Sequence, residues 1–229
     1  AMLRLPRRYL LGCGGMFVAY EVCFLPAMGL APNRTTAMVV GLVNYLWSVI
    51  MVVLSLPILG RRARWPLVAG CLAAAAGMAV AMVGTLPFQW GHLRESGAGL
   101  LGPLSLAAAA ALLWGAFSNF ARRWGPGVGT ASAVPLFLLV SGAALAVIRT
   151  GCREHCVWTP AVVGELAMFA VAQSAIAYVL WDVGMRRGNQ LLLGLASYFL
   201  PIVATAVTAA YLCVRPGVGL IVGCVLVTA

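Results

Sequence analysis

Long apolar runs separated by short polar loops dominate the hydropathy pattern of the chain. The runs are apolar all round, without the two-residue alternation of a half-buried strand, so we interpret them as helices in lipid. A membrane-spanning helix needs about 20 apolar residues. Seven runs are long enough to span: 9–30, 37–59, 66–84, 100–121, 132–148, 161–185 and 190–213. An eighth run, 217–229, is too short to cross and is interpreted as a truncated helix.

The composition supports a membrane environment. Hydrophobic residues make up 63% of the chain and charged residues 9%, with a mean hydropathy of +1.00. A soluble domain averages about 45–50% apolar and about 25% charged residues. The polar side chains are too few to cover a water-facing surface, which argues against a soluble domain, a disordered tail or a nucleic-acid-binding domain. The predicted fold class is therefore an all-α integral membrane protein that contacts the lipid bilayer and no nucleic acid.

The distribution of arginine predicts the orientation. All fifteen basic residues are arginines, which give a net charge of +10, and they cluster in loops, where an excess of positive charge marks the cytoplasmic side. One set of alternate loops carries ten of them: Arg4, Arg7, Arg8, Arg61, Arg62, Arg64, Arg122, Arg123, Arg186 and Arg187. The other set carries five. This asymmetry predicts that both termini of the chain are cytoplasmic.

The predicted outer loop 149–160 contains two nearby cysteines, Cys152 and Cys156. Thiols outside the cytoplasm can oxidise, so a disulfide between them is one interpretation. A metal site is the weaker alternative, because only His155 could join the two cysteines as a ligand.

An internal repeat links the second and seventh runs. Segment 41–76 aligns with 194–229 without a gap, and Tyr45 and Arg62 meet Tyr198 and Arg215. Five spans separate the two copies, so the second copy crosses the membrane in the opposite direction. Inverted repeats are typical of transporters that expose a central site alternately to either side. We expect residues 1–84 to form an N-terminal repeat and residues 85–229 its inverted C-terminal counterpart.

Several segments resemble the drug/metabolite transporter superfamily (EamA-type transporters), and within it the amino acid exporters. They are FVAYEV at 17–22, VNYLW at 43–47, WDVG at 181–184 and SYFLP at 197–201. The resemblance implies a ten-helix fold of two five-helix inverted repeats. The chain would then begin at the family's third helix and show eight helices, the last one truncated. It also implies a monomeric bacterial inner-membrane exporter of amino acids, aromatic and other neutral ones, with the substrate in a cavity between the repeats.

Two positions depart from the family's pattern. Ser48 stands where the family often has proline, and Asp182 where it has asparagine. Asp182 is followed one helical turn later by Arg186, a spacing typical of a stabilising ion pair. We interpret this pair as structural.

Glu21 is the most informative side chain of the sequence. It lies near the middle of the first predicted span, where an ionised acid costs at least about 2.5 kcal/mol. No arginine is predicted at the same depth. One interpretation is a proton-coupling site or an anchor for a substrate ammonium group. The alternative is a protonated carboxyl group that hydrogen-bonds to a neighbouring helix.

Other polar and aromatic side chains near mid-membrane are candidates for substrate contact. Buried amides and phenols in lipid need partners, so they either join helices or face a polar cavity. Aromatic rings can stack on a substrate or simply pack. Together with Glu21, the candidate substrate-binding residues are Tyr20, Asn44, Tyr45, Trp47, Trp114, Ser118, Tyr178, Trp181 and Tyr198. Structural packing is the alternative for each of them.

The motifs of common membrane enzymes are missing from the sequence. A single aspartate excludes an aspartyl dyad, and His92 and His155 both fall in outer loops. Neither a Gly-x-Ser-x-Gly elbow nor a phosphate-binding loop ending in lysine occurs. We therefore expect a transporter without enzymatic activity, cofactor or metal. An exporter of drugs or lipophilic cations from the same superfamily and a non-transporting membrane subunit remain alternatives.

Overall fold

The computed structural model describes residues 5–32, 34–60, 97–125, 132–152 and 157–197, with a few isolated positions within 65–80 and 199–222. Every regular element in these ranges is a helix, and no strand occurs among them. Four of the helices are long and apolar enough to cross a membrane. The protein is therefore an all-helical, multi-pass membrane protein.

The helices are named here in chain order. They are α1 (Arg8–Gly29), α2 (Arg34–Tyr45), α3 (Trp47–Leu59), α4 (Gly97–Trp124), α5 (Val134–Cys152), α6 (Pro160–Arg187) and α7 (Gln190–Ser197). Helix α1 is π-helical over Arg8–Cys13, and α6 is π-helical over Phe169–Ala177. Stretches of π-helix are rare in proteins and often lie near functional sites.

Helix α1 buries one stripe of side chains. Tyr9, Cys13, Phe17, Tyr20 and Glu21 are all buried. They recur every three or four residues, so they lie on one face of the helix. This face packs against α4 and α5, which places the only acidic residue of α1 inside the bundle.

The predicted span 37–59 is broken at Leu46, between α2 and α3. The Leu46 N–H donates to the Val43 carbonyl, only three residues back, at 3.1 Å. The Ser48 hydroxyl donates to the Tyr45 carbonyl at 3.0 Å. A serine side chain bonded to the backbone of the preceding turn competes with the regular helical bond and often bends the helix. The break therefore lies within the turn that the Ser48 hydrogen bond spans.

Helix α4 is the centre of the described bundle and contacts α1, α2, α3 and α6. Gly115 lets α3 approach closely, because a Cβ atom at this position would lie 2.9 Å from Ile50 Cγ2 and 3.1 Å from the Met51 nitrogen. One turn later, the Asn119 side-chain amide donates to the Met51 carbonyl at 2.8 Å. A small residue and an interhelical hydrogen bond together fix the α3–α4 pair.

Helix α6 differs along its length. The part before Tyr178 is mostly exposed and apolar, as expected of a lipid-facing surface, whereas the part from Tyr178 onward packs against α4. At its C-terminal end, Arg122 of α4 donates to the carbonyls of Met185 and Gly188 at 3.0 and 2.7 Å. These bonds satisfy carbonyls that a helix end leaves without partners.

Four predicted spans are confirmed as long apolar helices: 9–30, 100–121, 132–148 and 161–185 correspond to α1, α4, α5 and α6. Only scattered positions of run 66–84 and a single position of run 217–229 are described, and most of 190–213 beyond α7 also lies outside the described residues. The division into repeats at residues 1–84 and 85–229 and the ten-helix arrangement stay predictions.

Candidate functional site

A cluster of aromatic side chains fills the space between α1, α3, α4 and α6. Trp114 of α4 is its centre and is only 5% exposed. Its ring centroid lies 4.7 Å from Tyr20 and 5.1 Å from Tyr178. It also lies 6.4 Å from both Trp47 and Trp181. We call these five residues the aromatic cluster.

Phe17 packs against the aromatic cluster and lies one helical turn before Tyr20 on α1. It is fully buried, and its ring lies 5.3 Å from Tyr178 and 5.9 Å from Trp114. The Phe17–Tyr178 pair is edge-on, which is a favoured geometry for aromatic rings. Phe117 and Phe137 also contact Phe17, at 5.5 and 5.9 Å, and extend the packing toward α5.

A hydrogen bond orients one end of the aromatic cluster. The Trp181 indole N–H donates to the Ser118 hydroxyl at 3.1 Å, which joins α6 to α4. Trp181 also packs edge-on against Trp47, at 5.1 Å between ring centroids. The indole donor is thereby satisfied, as buried tryptophan requires.

The other end of the aromatic cluster is polar. The Tyr178 hydroxyl lies near the Glu21 carboxyl and near the Tyr20 hydroxyl. Tyr20 is in turn in hydrogen-bonding contact with Asn44. Glu21 and Asn44 are only 4% and 8% exposed. A chain of four polar side chains from α1, α2 and α6 therefore lies inside the bundle, next to the Trp114 ring.

Eight of the predicted substrate-binding residues meet in this one region. They are Tyr20, Glu21, Asn44, Trp47, Trp114, Ser118, Tyr178 and Trp181. Tyr45 is half-buried and lies near enough to Tyr20 for an electrostatic interaction. Tyr198 lies outside the described residues. The structure thus brings most of the predicted side chains together, and their role in binding stays a prediction.

Only one of the two cysteines in the predicted Cys152–Cys156 disulfide is among the described residues. Cys152 is an exposed free thiol in the last turn of α5. Cys156 lies outside the described residues.

A second polar cluster surrounds Asp182, which is fully buried. Its carboxylate accepts hydrogen bonds from Tyr9 at 2.8 Å, from Ser132 at 2.6 Å and from Arg186 Nε at 3.0 Å. The Arg186 guanidinium also lies over the Tyr9 ring, at 5.5 Å from its centroid. We call these four residues the Asp182 cluster. It ties α6 to α1 and to the segment before α5, and it confirms the predicted Asp182–Arg186 pair.

The sequence-based candidates lack Phe17, which packs against the aromatic cluster, and Tyr9 and Ser132 of the Asp182 cluster. The available signal for Phe17 is its spacing, since it precedes Tyr20 and Glu21 by three and four residues on the same helix face. No local signal connects Tyr9 or Ser132 with Asp182, because they are distant in sequence.

Comparison with known proteins gives the family. No family model matches the chain. The aromatic amino acid exporter YddG of Escherichia coli (strain K12) is 29% identical over 213 residues, which are 91% of this chain and 70% of the relative. The exporter of the same name from Ancylobacter novellus is 33% identical over 222 residues, 94% of this chain and 71% of the relative. The chain belongs to the YddG family.

The YddG family is part of the drug/metabolite transporter superfamily, so the resemblance inferred from the sequence segments is confirmed. The fold agrees as well. A solved crystal structure matches with a TM-score of 0.74 and 30% sequence identity, over 99% of this chain and 75% of the other. The all-helical architecture of this YddG-family chain therefore has a close structural counterpart.

Proposed function

We propose that the protein is a secondary transporter that exports amino acids, aromatic ones among them, across the bacterial inner membrane. The observation that carries this proposal is the aromatic cluster with its polar end, buried at the centre of a bundle of membrane-spanning helices. Aromatic rings suit an aromatic side chain, and the polar groups suit the charged end of an amino acid. Relatives named as aromatic amino acid exporters support the same substrate class.

The position of the cluster supports alternating access between two inverted repeats. Tyr20 and Trp47 belong to the predicted repeat 1–84, whereas Trp114, Tyr178 and Trp181 belong to 85–229. The cluster therefore lies where the two predicted repeats meet, as substrate sites of inverted-repeat transporters do. The last residues of helix α7, 194–197, align with residues 41–44 at the start of the first repeat segment. Helix α7 packs against α3. In the structure the rings touch one another, so the proposal requires that they separate when a substrate enters.

Export of lipophilic cations is the second candidate, because a buried acid among aromatic rings also suits a cation. Uptake into liposomes that contain the full-length protein separates the two functions. We expect saturable uptake of labelled phenylalanine that unlabelled phenylalanine suppresses and that protein-free liposomes lack. Uptake of labelled tetraphenylphosphonium without any uptake of amino acids would instead support the cation exporter and contradict the proposal.

Coupling to protons is proposed to depend on Glu21. It is the carboxyl group at the polar end of the aromatic cluster, and the titratable side chains that face it are Tyr20 and Tyr178. Glutamine keeps the size of the side chain but carries no titratable proton. We expect Glu21→Gln to make phenylalanine flux independent of pH between about 5 and 8, because a group that exchanges protons during function has to titrate near the working pH.

The matched control for this prediction is Glu165→Gln. Glu165 is an exposed glutamate on the first part of α6, away from the aromatic cluster. The control is expected to keep the pH profile of the wild type. Flux that responds to pH in the same way in Glu21→Gln and the wild type would remove Glu21 from proton coupling.

A further inference from the structure

Two buried oxygen atoms at the polar end of the aromatic cluster lack a hydrogen-bond donor. Within the described part of the chain, Glu21 Oε1 and Asn44 Oδ1 are inaccessible to solvent and have no partner. The rest of each side chain is engaged: Glu21 is in contact with the Tyr178 hydroxyl, and Asn44 with the Tyr20 hydroxyl. Buried polar atoms without partners are rare in folded proteins, so each one calls for an explanation.

The surroundings of the two atoms indicate what kind of donor is missing. Both are acceptors, and an ammonium group brings three donors and no acceptor. Tyr20 lies near both Glu21 and Asn44, and its ring packs on Trp114 at 4.7 Å between centroids. Aromatic rings attract cations. A carboxylate ligand would be repelled by Glu21 and would find two acceptors where it needs donors. The chemistry of the site therefore matches a primary ammonium group.

We infer that Glu21 Oε1 and Asn44 Oδ1 bind the α-ammonium group of the transported amino acid, an inference that rests on the proposed function. The two residues come from α1 and α2, and the side chains of Tyr20 and Tyr178 lie next to them. Glu21 supplies the negative charge, and Asn44 supplies a second, neutral acceptor.

This assignment also orients the substrate. With its ammonium group at Glu21 and Asn44, the amino acid extends its side chain past Trp114 toward Trp47 and Trp181. Trp114 borders both ends, at 4.7 Å from Tyr20 and 6.4 Å from Trp181. The apolar end of the aromatic cluster therefore selects the side chain, and the polar end selects the amine.

Three small molecules with the same ring test the inference by calorimetric binding to the purified full-length protein. Phenylalanine carries both charged groups, phenethylamine only the amine, and 3-phenylpropionate only the carboxylate. We expect the wild type to bind the two amines and to bind 3-phenylpropionate at least about tenfold more weakly. Glu21→Gln is expected to weaken both amines by about 10- to 100-fold, as the loss of a hydrogen bond to a charged group does. It is not expected to weaken 3-phenylpropionate, because the variant removes the charge that repels a carboxylate.

A second variant keeps the test decisive if Glu21→Gln fails to fold. Asn44→Leu removes the other acceptor and is expected to weaken the amines about tenfold and 3-phenylpropionate not at all. Glu165→Gln, at an exposed position, is the matched control and should bind all three compounds as the wild type does. Equal weakening of all three compounds in both variants, or no weakening in either, would overturn the inference.

The outcomes also separate this inference from the proposed function. If the wild type binds phenethylamine through Glu21 but transports no amino acid, the ammonium site stands and the proposed export of amino acids fails. If the wild type transports phenylalanine and Glu21→Gln binds the amines normally, export stands and the ammonium site fails. Stabilisation by sodium chloride but not by choline chloride, lost in Glu21→Gln, would assign the two oxygens to a metal cation and contradict the inference.

Discussion

Replacing Asp182 by alanine is expected to lower the free energy of unfolding by about 3–5 kcal/mol. The substitution removes the acceptor for Tyr9 and Ser132 and leaves the Arg186 guanidinium buried without its counter-charge. The side chain of Arg186 is only 1% exposed, so water cannot replace the lost carboxylate. Denaturant unfolding of the purified protein in detergent, followed by circular dichroism, measures the effect.

The double variant Asp182→Leu/Arg186→Met is the control for this prediction. An ion pair replaced as a whole by apolar side chains of similar volume often leaves stability unchanged, because the buried charges disappear together. We expect the double variant to recover the part of the stability that the unpaired Arg186 charge costs in Asp182→Ala, whereas the hydroxyls of Tyr9 and Ser132 still lack their acceptor. An Asp182→Ala protein as stable as the wild type would show that the Asp182 cluster does not hold α1 and α6 together.

Replacing Trp114 by alanine is expected to reduce phenylalanine flux by more than about tenfold. In the proposed site the Trp114 ring contacts the aromatic side chain of the substrate. Such a ring contact is worth about 0.5–1.5 kcal/mol beyond the apolar area it buries, which itself contributes about 1.5–3 kcal/mol for a large side chain, so the loss exceeds the 1.4 kcal/mol that corresponds to a factor of ten. Flux into liposomes is measured per amount of folded protein, determined by size-exclusion chromatography. This normalisation separates lost transport from lost folding.

Trp124→Ala is the matched control, because Trp124 lies at the end of the same helix and stacks on Phe120 rather than on the aromatic cluster. Trp124 is half-buried and packs beside Gly12 of α1, so its removal affects stability more than substrate contact. Its flux per amount of folded protein is therefore expected to stay within about twofold of the wild type, since most single substitutions act on stability. Equal losses in the two variants would mean that Trp114 serves packing alone.

The spanning helices were predictable because lipid demands long, uniformly apolar segments with all backbone groups bonded internally. The break at Leu46 was not predictable from hydropathy, since both sides of it are equally apolar. The break coincides with a local side-chain interaction, the hydrogen bond from the Ser48 hydroxyl to the Tyr45 carbonyl. Such a bond competes with the regular helix but leaves the apolar pattern unchanged.

The candidate site was predictable where a residue type is unusual in lipid. Glu21 and Asn44 are costly at mid-membrane, so their burial inside the bundle follows from the sequence alone. Phe17 is ordinary in an apolar run, and only the fold shows that it supports Tyr178 and Trp114. The same limit applies to the Asp182 cluster: the sequence indicates the neighbour Arg186, whereas Tyr9 is brought in by tertiary packing.

The central claim, that substrate enters the aromatic cluster, is tested most directly at Ser118. Ser118 is fully buried and bonded to Trp181, so Ser118→Cys, in a background whose seven native cysteines are replaced by alanine, reacts with N-ethylmaleimide only when the cluster opens. Phenylalanine at ten times its dissociation constant is expected to slow this reaction about tenfold by occupying the site. Ser105→Cys, on the exposed face of the same helix, should react equally fast with and without phenylalanine. A rate at Ser118→Cys that phenylalanine leaves unchanged would contradict the account.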